Sequence, residues 1–140
     1  MSPEVISAIE EIRAQFPEKP VLVGTDQHGG ACVIVEDVPL GAPYRHASSW
    51  VGFHITHACP YADVYPHFVR GDLARADGGA LGEGHSSGHQ FPQPGVVVAG
   101  NLPAREAVQL SRRSNHRDSG SALETPLIKL MKVLQWLRAR

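Results

Sequence analysis

The hydrophobic pattern of this chain changes period twice along its length, and that change sets the class of fold. After Thr125-Pro126, the residues Leu127, Leu130, Met131, Leu134 and Leu137 recur every three or four positions. They predict an amphipathic helix whose apolar stripe faces a core, with Arg138 and Arg140 at the negative end of its dipole. The N-terminus opens in the same way. Ser2 is placed to cap a first helix, Pro3 takes the first helical position and Glu4 suits the dipole. Val5, Ile9, Ile12 and Phe16 share one face until Pro17 and Pro20 end the pattern. Between these ends the runs are short and β-branched or aromatic: Val21 to Val23, Cys32 to Val35, and Trp50 to Ile55. Phe68-Val69 is a candidate fourth strand. Turn-rich segments such as Gln27-His28-Gly29-Gly30 separate the runs. Connections this brief favour an antiparallel meander, because parallel crossovers need a dozen or more residues each. The expectation is a single α+β domain over residues 1–140.

Composition narrows the function classes. The chain has 140 residues, 42% hydrophobic and 19% charged, which is the balance of a chain that buries one core. A formal net charge of −1 supplies no bulk attraction to nucleic acid or anionic membrane. No apolar run reaches membrane-spanning length. Met1-Ser2-Pro3-Glu4 lacks the basic and then greasy pattern of a signal peptide, and two cysteines, Cys32 and Cys59, fit a reducing compartment. A cytoplasmic location is expected.

Two segments fall outside the periodic elements. From Gly71 to Gly95 glycines and prolines dominate, and a long irregular loop is expected there, followed by a brief buried segment at Val96-Val97-Val98. The run Gln109-Leu110-Ser111-Arg112-Arg113-Ser114-Asn115-His116-Arg117-Asp118 then packs hydroxyls, an amide, an imidazole, a carboxylate and guanidiniums just before the last helix. Polar loops held by rigid elements are where chains commonly keep chemistry or anion recognition.

Other chemistries fit the residues poorly. Gly79 to Ser86 has the glycine spacing of a phosphate-binding loop, but His85 stands where lysine must reach the phosphates and no apolar strand feeds it. His54 and His57 lie three apart on an expected strand, which points them to opposite faces. His85 and His89 lack an assured third ligand, so no metal is expected. No cofactor is expected either. Cys59, beside Pro60, has no neighbour in the sequence that marks it as a thiolate.

The order of elements resembles the ubiquitin-conjugating (E2/UBC-like) fold, and more closely the divergent bacterial members encoded beside ubiquitin-like modifiers. The resemblance runs from the first helix through the third strand, Ser49 to Thr56, into Cys59-Pro60-Tyr61-Ala62-Asp63-Val64-Tyr65-Pro66. That passage looks like the family's Tyr-Pro-x-x-x-Pro, with Cys59 where tyrosine usually stands. It ends with Ser111 to Asp118 followed by the helix from Pro126 to Leu137, similar to the family's site-then-helix arrangement.

The departures shape what the resemblance implies. No His-Pro-Asn triplet is present and no cysteine follows Cys59, so the usual thioester-forming residue is missing. Alignment backwards from the last helix sets Ser111 near the cysteine position, with Ser114 next. The implied activity is a conjugating enzyme that carries a ubiquitin-like protein as a serine oxyester and passes it to a substrate amine. Serine needs a base within hydrogen-bond reach. His116 oriented by Asp118 is one candidate, and His85 and His89 are others if their loop folds over the site. Asn115, or backbone amides near Ser111, are candidate oxyanion donors. Arg112, Arg113 and Arg117 are candidates for gripping a partner. The implied partners are the ubiquitin-like modifier, an E1-like activating protein and a protein substrate. A second reading is an E2-like module without catalysis, akin to the UEV and RWD variants, that holds a modifier or an E1-like partner.

Overall fold

The structure, a computed structural model, describes residues 1–112 and 124–140. Helix α1 spans Pro3–Gln15, with Ser2 Oγ accepting the Val5 N–H at 3.3 Å. The strands follow as β1 Val21–Thr25, β2 Ala31–Pro39, β3 Ser48–Ile55, β4 His67–Arg70, β5 His85–Phe91 and β6 Arg105–Leu110. Helix α2 spans Pro126–Arg138, and Thr125 Oγ1 accepts the Ile128 N–H at 3.2 Å. Both helices therefore begin with the hydroxyl cap and proline that the sequence signals. All strand pairs are antiparallel in one sheet ordered β1-β2-β3-β4-β6-β5. The α+β class and the β1-to-β4 meander agree with the sequence pattern.

Strand alternation sorts the sheet's side chains into two cores. Val33, Val35, Val51, Phe53, Ile55, Val69, Val108 and Leu110 face α1 and α2, where Val5, Ile12, Leu130, Val133, Leu134 and Leu137 meet them. Cys32, Ile34, Phe68, Phe91 and Ala107 face the other way. There the connection between β5 and β6 covers them, contributing Leu102, with Val96 and Val98 packed at the margin. A bridge between Thr25 and Ala99 anchors that connection on β1. Gly52 allows the close packing on this side, since a Cβ there would lie 2.5 Å from the Phe91 ring.

Four expectations are corrected. The stretch from Gly71 to Gly95 is not irregular throughout, because it contains β5. That strand leaves five of its seven residues exposed, so backbone pairing with β6 holds it rather than a hydrophobic face. Gln109 and Leu110 do not belong to a polar loop: they close β6. Val96 to Val98 are not a buried segment: Val97 is 63% exposed, and its half-buried neighbours lie over the outer core. On α2 the buried stripe is rotated from the expected one. Met131 is exposed, whereas Lys129 and Val133 are buried.

Leu130 and Leu134 are at most 1% exposed at the centre of the helix-side core. Replacing either by alanine removes contacts that the rigid sheet beneath cannot refill. Each substitution is expected to cost about 2–5 kcal/mol, read as a lowered urea midpoint with an unchanged slope.

Candidate functional site

The junction where β6 leaves the sheet for α2 is the region that the sequence singles out. Ser111 continues β6 by one residue, its N–H donating to the Gly84 carbonyl at 2.8 Å. Its half-buried hydroxyl accepts from Gln109 Nε2 at 3.3 Å. Side chains two apart on an extended strand share a face, so Ser111 and Gln109 project away from the helices. Leu110 and Arg112 project toward them. Ser114, Asn115, His116, Asp118, Arg113 and Arg117 lie outside the described residues.

Arg112 is half-buried, and its Nη1 is buried without a hydrogen-bond partner among the described residues. Beside it lies His67, the first residue of β4, in register with Leu110 and fully buried. Neither His67 nitrogen has a hydrogen-bond partner among the described residues, and the ring packs against Phe53 with centroids 5.3 Å apart. Burial holds its pKa down at about 3; the charges of Lys129 and Arg112 push the same way and Asp63 opposes them. Lys129, on the first turns of α2, reaches Asp63 at 3.0 and 3.1 Å. The underside of the junction is thus a buried cationic patch around a neutral imidazole.

The two histidines expected on a loop instead stand on β5. His85 faces the helices: it lies opposite Leu110, and its ring stacks on Trp136 with centroids 5.2 Å apart. Its Nε2 lies 3.1 Å from Tyr44 Oη, which donates to the Leu137 carbonyl at 3.0 Å, and its Nδ1 lies 3.1 Å from the Gly82 carbonyl. Burial lowers its pKa, against the pull of the Glu83 and Gly82 carbonyls. The preceding Gly84 has φ +86°, and a Cβ there would sit 2.7 Å from Trp136. His85 is therefore occupied in docking α2, on the face opposite the Ser111 hydroxyl. His89 does share Ser111's face, but it pairs with Ala107, four residues back. At roughly 3.3 Å per residue it stands about 13 Å away. Neither histidine supplies a base to Ser111.

What His89 does contact is Ser86, whose Oγ lies 3.0 Å from its Nε2. Ser86 was not singled out by the sequence as a nucleophile. A register shift between Ser86 and His89 brings these residues, three apart, onto one face, and no pattern in the sequence announces that shift.

Cysteine and metal chemistry find little support. Cys32 is buried, its thiol pushed up to about 12 by burial and by the charge of Asp26. Cys59 lies in a cleft of about 360 Å³ between the starts of α1 and α2, and burial, then Glu4 and Glu11, raise its thiol. Neither is set up as a thiolate. His54 Nε2 binds Asp26 at 2.7 Å. Asp26 also accepts from the N–H groups of His28 and Gly30 at 2.8 and 2.9 Å. Burial opposes ionisation of Asp26, but these bonds outweigh it and lower its pKa. That constellation ties down the β1–β2 turn. Among the described residues no group of three or more His, Cys, Asp or Glu could hold a metal ion.

His67 makes stability depend on pH. Its folded pKa lies below the ordinary value of 6.5, so the unfolded chain binds the extra proton first. The contribution is complete above about pH 6.5 and is lost as the pH falls toward 3. Between pH 7 and pH 5 the wild type is expected to lose about 2 kcal/mol from this group. A His67→Gln variant should lose correspondingly less over the same interval. Urea midpoints of the two proteins at both pH values check it, and parallel losses would assign the acid sensitivity elsewhere.

Comparison with protein-family models, with curated proteins and with solved structures finds no match for this chain.

Proposed function

We propose that this chain is an E2-like conjugating domain that carries a ubiquitin-like protein as a serine ester and passes it to an amine of a protein substrate. The observation that carries the reading is the position of Ser111: just past the end of β6, an interior strand of the sheet, anchored through its N–H to the Gly84 carbonyl and preceding α2 in the chain. A helix, a β1-to-β4 meander and a closing helix surround it, and the Cys59-to-Pro66 passage joins β3 to β4, as the resemblance to ubiquitin-conjugating proteins implies. In the reaction, the serine oxygen attacks the activated C-terminal carbonyl of the modifier, held by an E1-like protein. The new ester bond forms as the activating group leaves. A substrate amine then attacks the ester, making the amide and restoring the hydroxyl. Gln109 donates to the Ser111 oxygen, which leaves the hydroxyl proton free to pass to a base. In this proposal His116 and Asp118 supply and orient that base, and Arg112, Arg113 and Arg117 contribute to partner binding.

A second reading has a specific observation behind it. Both cysteines are buried with raised pKa values, and the hydrogen-bond partner of Ser111 among the described residues is an amide rather than a base. These features suit an E2-like module that holds a modifier or an E1-like partner without catalysis.

Intact-protein mass spectrometry after incubation with the cognate modifier, its activating protein and ATP separates the two. The first reading expects an adduct that survives thiol reductant, is cleaved by alkali and disappears in Ser111→Ala. Persistence in Ser111→Ala but loss in Ser114→Ala moves the ester to Ser114. Persistence in both removes it from this passage, and binding without any adduct supports the second reading.

A further inference from the structure

We propose that Ser86 and His89 form a nucleophile–base pair on β5 that accepts an acyl group from an activated ester or thioester. The proposal stands on the geometry of β5 and does not depend on the conjugation reading. Among the described residues this is the one serine whose hydroxyl is hydrogen-bonded to an imidazole, at 3.0 Å. Both side chains are exposed, so a substrate reaches them without a change of fold. With the imidazole proton on Nδ1, the hydroxyl donates to Nε2, which is the arrangement a general base requires.

The surroundings suit an acyl substrate. Ser87 and Gly88 together oppose the single residue Val108, and a bulge of this kind leaves its extra residue out of the ladder. Gly88 has φ +81°, with no atom within 4 Å of where a Cβ would stand, so a substrate carbonyl has room beside Ser86. A cavity of about 330 Å³ adjoins His89, lined also by Gly71, Gly88, Glu106 and Ala107. As the terminal strand of the sheet, β5 also has one edge unpaired among the described residues, along which an extended chain can lie.

The chemical step balances within these groups. Ser86 Oγ attacks the acyl carbonyl while its proton passes to His89 Nε2. The bond from the carbonyl carbon to its alkoxide, phenolate or thiolate leaving group breaks, and the departing group receives that proton. Water or an amine then attacks the seryl ester and regenerates the hydroxyl.

Ser87, exposed and one residue along, is a built-in reference. The full chain is treated with p-nitrophenyl acetate, and acetylation at each serine is followed by tandem mass spectrometry. Ser86 is expected to acetylate on the order of 100-fold faster than Ser87, the lower end of what a positioned base contributes. His89→Gln should bring Ser86 to the rate of Ser87. Equal rates in the wild type overturn the proposal. So does an undiminished Ser86 rate in His89→Gln. The wild-type ratio decides even if the variant folds poorly.

Discussion

Everything around the candidate site depends on β6 pairing with two neighbours at once. This strand comes late in the sequence yet occupies an interior place, bonded to β4 on one side and β5 on the other. Its side chains therefore meet two finished environments: Val108 and Leu110 under the helices, and Ala107 against the Phe68–Phe91 cluster. A slip of one residue would drive Gln109 and Ser111 into the helix-side core and turn Leu110 out. The face on which Ser111 sits is set by this register and not by the polar residues that follow it.

Most of the helical framework was readable from the chain because each helix carries its own signals. Ser2-Pro3 and Thr125-Pro126 mark the starts with a physical mechanism, and the apolar spacing marks the inward face. Met131 has the spacing of a core residue but is exposed, because spacing ignores which neighbours are available. Lys129 displaced it by taking a buried ion pair with Asp63, a residue 66 positions away. The strands β1 to β4 were readable from their β-branched runs. The strand β5 was not: His85 to Phe91 has no hydrophobic alternation, since only Phe91 is buried. Without β5, nothing indicated that Gln109 and Leu110 were strand rather than loop. Of the polar cluster, Ser111 and Arg112 lie just beyond β6, and their opposite orientations follow from a register that one chain's spacing does not encode. The Ser86–His89 contact was hidden for a related reason. Residues three apart on a regular strand face opposite ways, and only the bulge between them reverses this.

The polar contacts divide by what they hold together. Arg105 makes a bidentate pair with Glu36 at 2.7 and 3.0 Å while lying 5.4 Å over the Trp50 ring. It therefore clamps β6 to β2 across the outer face. Tyr44 and His85 hold the C-terminal end of α2 through Leu137 and Trp136, and Arg138 donates to the Pro39 carbonyl at 2.8 and 3.0 Å. Lys129 and Asp63 hold its N-terminal end to the β3–β4 passage. Helix α2 is thus fixed at both ends by polar contacts to segments distant in sequence, with leucines filling the space between.

That arrangement gives the neutral state of His67 a structural meaning. Two cations, Lys129 and Arg112, lie close enough to disfavour a third charge, and Asp63 is already engaged by Lys129. The imidazole is left to pack as a flat aromatic ring against Phe53. A carbon ring would fill the same space without two buried nitrogens lacking partners among the described residues, a desolvation cost that ordinary cores avoid. Burying paired charges also tends to favour one arrangement over its rivals more than it adds net stability. The cationic patch under the β6–α2 junction is best understood in those terms. It specifies how α2 seats over β4 and β6. Sites that must position one reacting oxygen gain from being built on elements held this way, because small misplacements cost far more in rate than they do in stability.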